Sequence, residues 1–130
     1  MTVNLTFESV VAFAKEAAAE KPEGYIYINP SGQVASPGGI TCDYWDDSKD
    51  APSCIVGVIL HKAGVSATNI TEGRSAFASS YLARKAEGGV ITISDKAATF
   101  LFDVQMRQDV GVPWSKAIEA SVAETERLHA

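Results

Sequence analysis

The stretch that most constrains this chain is Pro52-Ser53-Cys54-Ile55-Val56-Gly57-Val58-Ile59-Leu60-His61-Lys62-Ala63-Gly64. Ser53 is placed to cap a helix, its hydroxyl accepting a bond from a free amide of the first turn. Gly64 can end it, because a residue without Cβ enters the left-handed region without steric cost. Between them, Ile55, Val56, Val58, Ile59 and Leu60 put apolar groups around nearly the whole circumference. A helix apolar all round is a buried helix, so other elements must pack on several of its sides. The run is too short to cross a bilayer, which takes about 20 residues. It reads as the core of a globular domain.

The flanking patterns supply the partners. Thr6 caps a first helix reaching to about residue 21, with Phe7, Val10, Val11, Ala14, Ala17 and Ala18 on one stripe. Tyr25-Ile26-Tyr27-Ile28, a turn at Asn29-Pro30-Ser31-Gly32, and Gln33-Val34-Ala35 read as a β-hairpin over 25–35. The polar, acidic 40–51 segment reads as an ordered loop pinned by Tyr44 and Trp45, and 65–70 as a connector.

Thr71 is expected to cap a third helix over 71–86, with Ala76, Phe77, Ser80, Tyr81 and Ala83 facing inward. Residues 90–93 read as a short strand or an apolar lead-in. Ser94 caps a fourth helix stopped by Gly111, and Pro113 opens a fifth at its first position. The expected fold is α+β and mainly helical: about five helices packed around a central buried helix (53–63), with one small β-hairpin (25–35). A chain of 130 residues without repeat or linker is a single domain, 1–130.

The formal net charge is −5, with the acidity concentrated at Asp43, Asp46, Asp47 and Asp50. An acidic chain without a basic run is a poor ligand for nucleic acid, whose phosphates need clustered Lys and Arg. Arg74, Arg84, Lys85 and Arg107 are the residues that a nucleic-acid-associated module would have to use. The first residues show no charged segment followed by an apolar run, so no signal peptide is expected and the location reads as cytoplasmic. Cys42 and Cys54 are then reduced thiols.

Chemistry is sparse. Cys54 falls in the first turn of the central helix, where partial positive charge favours a thiolate. His61 lies two turns on, about 10 Å away, too far for direct proton transfer. These two are the catalytic candidates, and a small cysteine-dependent hydrolase using Cys54, with Asp43 or His61, is the alternative function they define. The bland reading of Cys54 is a small buried apolar group.

Cys42 and Cys54 could meet as a disulfide, or bind zinc together with His61 and a loop aspartate. No Cys-x-x-Cys or His-x-x-x-His pair supports zinc, so no metal is assigned. Counted from Asp43, the loop has Ser48 and Cys54 where a calcium-binding EF-hand needs Gly and Glu. No phosphate-binding glycine motif is present, and no cofactor is expected.

On the fourth helix Phe102 and Met106 form a second, incomplete apolar side, and the fifth ends in Leu128. Exposed, these three would make a partner-binding surface for a host protein or a homo-oligomer; the plain alternative is that the hairpin covers them.

Two segments carry a family resemblance. Cys42-Asp43-Tyr44, with the Pro52-Ser53-Cys54-Ile55-Val56-Gly57 helix, and Gln105-x-x-Gln108-Asp109-x-Gly111-x-Pro113-Trp114 resemble small proteins of actinobacteriophages and actinobacteria. The resemblance covers roughly residues 40–125 and implies a phage or actinobacterial origin. No activity or catalytic residue comes with it. With no visible constellation of acid, base and nucleophile, the expected function is a non-enzymatic protein-interaction protein, acting on a host protein or through self-association.

Overall fold

A computed structural model describes residues 2–130. The chain runs β1 (Val3–Leu5), α1 (Phe7–Ala19), β2 (Trp45–Asp46), β3 (Ala51–Pro52), α2 (Ile55–Ala63), α3 (Ala67–Thr71), α4 (Ala78–Glu87), β4 (Ile91–Ile93), α5 (Asp95–Asp109) and α6 (Trp114–Leu128). It is α+β and mainly helical, with six helices among the described residues.

The central helix is α2. Cys54, Ile55, Val56, Gly57, Ile59 and Leu60 are all buried, and Val58 is half-buried. Its apolar faces meet α1 on one side and α5 on another, while α5 and α6 form an antiparallel pair that also packs on α1. The opening at His61 and Lys62 is the wet edge of an otherwise enclosed helix. Burying side chains of Ile or Leu size removes each from water at a gain of about 1.5–3 kcal/mol.

The caps explain why elements begin where they do. Thr6 accepts from the Ser9 amide at 3.1 Å, and Ser9 returns the bond to the Thr6 amide, a reciprocal cap for α1. Ser94 accepts from the Ala97 amide at 3.1 Å to start α5. Gly64 closes α2 at φ +103°, and its amide bonds back to the His61 carbonyl.

Three expectations are corrected. Ser53 does not cap α2: its hydroxyl bonds the Tyr27 phenol at 3.0 Å, and the N-cap position passes to Cys54, which makes no side-chain cap bond. The 71–86 helix is broken, because 67–71 winds as a separate short helix and α4 begins only at Ala78. Thr71 ends α3, its hydroxyl donating to the Ala67 carbonyl at 2.8 Å. Gly73 lies at the break; a Cβ there would collide with the rings of Tyr44 and Tyr81, so the segment bends to let them approach. Of the two readings of 90–93 the strand is the one observed: β4 pairs in parallel with β1, placing Val3 opposite Ile91 and Leu5 opposite Ile93.

The 25–35 segment turns back on itself through Asn29 N–H to Gln33 O and Ala35 N–H to Tyr27 O, both 2.9 Å, but makes a single antiparallel bridge, Ile28 to Val34. The acidic loop instead carries a short ladder, β2 to β3, with Trp45 opposite Pro52. The Asp46 carboxylate accepts from the Ser48 and Lys49 amides and so shapes its turn.

Among the described residues three buried side-chain atoms have no hydrogen-bond partner: Trp114 Nε1, Ser121 Oγ and Thr125 Oγ1. A buried hydroxyl without a partner forfeits its hydration for nothing. Replacing Thr125 by Val keeps the shape and removes the orphan, so Thr125→Val is expected to stabilise the protein by about 1 kcal/mol in a urea titration.

Candidate functional site

A cleft of about 710 Å³ opens between the 38–42 segment, the 75–78 segment and one side of α5. Its α5 wall is a single helical stripe, Phe102, Gln105, Met106 and Asp109, spaced three, one and three residues apart. Facing it are Cys42 and Phe77. Phe77 sits in the N-cap position of α4 and is 79% exposed; Met106 is 47% exposed and Phe102 38%. Three large apolar side chains thus ring one opening, whereas Cys42 and Gln105, both 5% exposed, close its floor.

Beneath the floor is a buried polar cluster that ties the cleft to the central helix. Gln108 is fully buried; its Oε1 accepts from the Ile55 amide at 2.7 Å and its Nε2 donates to Asp109 Oδ1 at 2.8 Å. The side chain of Gln108 therefore caps α2 from another helix, satisfying a first-turn amide that Ser53 and Cys54 leave free. The Cys54 thiol donates to Gln105 Oε1 at 3.4 Å. Asp109 in turn fixes the cleft's outer segment, its carbonyl accepting from the Ile40 amide at 3.2 Å.

The two thiols are neighbours. Burial pushes the Cys42 thiol well above its ordinary range, and the adjacent Cys54 thiol and the Asp109 charge add to the effect. Both cysteines are free thiols and both are buried. Iodoacetamide at pH 8 should therefore label native protein about 100-fold more slowly than unfolded chain, read by intact mass. Rapid labelling of either thiol would contradict this burial.

Among the described residues, Asp109 is the one charged residue lining the cleft. Removal from water raises its carboxyl to about 6, against the pull of the Gln108 amide in the opposite direction. A carboxyl held above its unfolded value binds more protons folded than unfolded, so stability falls as pH rises from about 4 through 6. Asp109→Asn removes that loss while its side-chain oxygen still accepts from Gln108. Allowing for partial solvent access, it should gain about 1 kcal/mol at pH 7 and nothing at pH 4.

Phe102 and Met106 are thus brought together, joined by Phe77; Leu128, exposed at the far end of α6, is not among the lining residues. The hairpin does not cover Phe102 or Met106. Cys54 is entirely buried, and His61 packs its ring edge-on to Trp45, centroids 5.5 Å apart. His129 bonds Thr99 at 2.9 Å. Among the described residues no group of three or more His, Cys, Asp or Glu side chains gathers as metal ligands would.

Of the basic residues, Lys85 is paired with Glu72 and Arg107 with Asp103. Arg74 lines a separate shallow hollow with Asp43, Trp45 and Asp47. No helix among the described residues is long and apolar enough to cross a membrane.

Periodicity puts Phe77 on an inward stripe; in the structure that helix is broken between Thr71 and Ala78, and Phe77 is exposed. The stripe of Phe102, Gln105, Met106 and Asp109 was present in the sequence as i, i+3, i+4, i+7 spacing, hidden by the stronger apolar face of the same helix. No protein-family model, no curated protein and no solved structure matches this chain, and its functional reading rests on the cleft alone.

Proposed function

We propose that this is a non-enzymatic protein-interaction protein, encoded by a bacteriophage and acting in the cytoplasm of an actinobacterial host on a host protein or on a second copy of itself. The cleft is its contact surface. The observation that supports this reading is the gathering of Phe77, Phe102 and Met106 around one opening, with Phe77 at 79% exposure. Leaving three large apolar side chains in water is unfavourable, and clustering makes them the kind of patch that partners cover. A thiol hydrolase has less support, because Cys54 is sealed from water and no histidine lines the cleft.

The test compares wild type with Phe77→Ser and Phe102→Ser. Sedimentation velocity reads self-association, and affinity capture from actinobacterial lysate reads a host partner. Either an oligomer or a captured protein present with wild type should be lost with both variants. A wild-type chain that stays monomeric and retains nothing the variants lose defeats the reading.

A further inference from the structure

The chemistry of the cleft specifies more than an apolar partner. Its walls are aromatic and thioether, and its single charge is the Asp109 carboxylate. None of the ion pairs among the described residues includes Asp109; its side-chain donor is the neutral Nε2 of Gln108. The nearest cation along the helix, Arg107, is engaged by Asp103 at 2.7 Å. A half-buried carboxylate with no cation, placed among exposed phenyl rings, is complementary to a positive head on an apolar stem. Phenyl faces attract such a head, and a partly desolvated carboxylate binds it more strongly than one in water. At about 710 Å³ the cleft exceeds one side chain, which leaves room for the residues that flank it.

We propose that the cleft receives a lysine or arginine side chain of a partner polypeptide, its cationic head on the Asp109 carboxylate and its stem between Phe77, Phe102 and Met106. This rests on the reading that the cleft is a contact surface, and names what the partner presents there. The ionisable groups facing Asp109, the Cys42 thiol and the Tyr44 phenol, are both held neutral by burial, so they neither compete for the cation nor repel it. Because Asp109 takes up its proton near pH 6, binding should weaken as the pH is lowered through that value.

The experiment is an NMR titration of the whole chain with capped heptapeptides that differ only at the central residue: lysine, arginine, norleucine or glutamate. Hexylamine serves as the small-amine probe. Lysine and arginine peptides at millimolar concentration should shift the Phe77, Phe102 and Asp109 amides saturably, with norleucine about tenfold weaker and glutamate weaker still. Asp109→Asn, checked to be folded by its melting curve, should erase the preference for lysine over norleucine.

Equal binding of norleucine and lysine overturns the cationic assignment while leaving the contact-surface reading standing. Hexylamine binding as tightly as the lysine peptide overturns the polypeptide source. Absence of shifts with every probe overturns the inference, and the serine variants of Phe77 and Phe102 still decide the broader reading independently.

Discussion

Gly57→Ala is expected to destabilise the protein by about 4 kcal/mol, a large share of the roughly 5–15 kcal/mol that keeps an ordinary domain folded. Helix propensity alone predicts the opposite sign, since Ala is favoured over Gly inside a helix by about 1 kcal/mol. The difference is the neighbour. A Cβ at Gly57 would press into the Tyr44 carbonyl oxygen, with the carbonyl carbon 3.0 Å and the Tyr44 Cα 3.1 Å away. That backbone cannot yield cheaply. The Tyr44 carbonyl accepts from the Ser53 amide at 3.0 Å, the Tyr44 amide donates to the Arg74 carbonyl at 3.0 Å, and the phenol donates to the Ala76 carbonyl at 2.7 Å. Moving the Tyr44 segment away from α2 breaks these bonds to the 53 and 74–76 segments. Urea denaturation reads the result: a midpoint lowered several-fold supports the close approach, whereas a gain near 1 kcal/mol would mean that α2 and Tyr44 are not in contact.

The same glycine shows how much of this fold is local. Helix starts and stops with their own chemistry were legible: Thr6, Ser94, Gly64 and Gly111 act within a turn of where they stand, and each does what its side chain, or lack of one, dictates. The burial of α2 was legible too, because an apolar circumference has only one stable environment. What was hidden depends on residues far apart in the chain. Val3–Leu5 and Ile91–Ile93 are three residues each, too short for any period, and only their pairing makes them strands. Gly73 falls inside a stretch that local spacing reads as one helix; the rings of Tyr44 and Tyr81 approach there, and the helix is divided in two. Ser53 is a good cap by local rules, yet the phenol of Tyr27 holds its hydroxyl elsewhere.

The cleft follows the same division. Phe102 and Met106 stood out because they lie off the buried stripe of their own helix. Phe77 did not, since its exposure follows from where α4 begins. Gln108 is fully buried, and nothing nearby in sequence indicates that it serves an amide fifty-three residues earlier.

That long-range service makes Gln108→Leu the other large effect, about 3 kcal/mol of lost stability. Leucine fills comparable space, so little of the loss is a cavity. The Ile55 amide, buried with its helix start, loses its acceptor at 2.7 Å, a defect of about 1–3 kcal/mol. Asp109 loses the Gln108 Nε2 donor at 2.8 Å, which leaves its half-buried carboxylate still harder to ionise.

Gln108→Glu separates the two contributions. Its oxygen can still accept from the Ile55 amide, but it offers Asp109 no donor once ionised and sets two carboxylates side by side. Both groups are then raised above their unfolded values, so stability is retained in acid and lost as pH rises through about 5 to 8. Gln108→Leu should show its amide defect at every pH. Gln105→Leu provides the comparison, since it removes only a thiol-to-oxygen contact of 3.4 Å and should cost under about 1 kcal/mol. If the leucine variants at 105 and 108 prove equally damaging, the capping bond is not what holds α5 to α2. Apolar packing between those helices would then carry the join, and the cleft's floor would owe its position to shape rather than to hydrogen bonding.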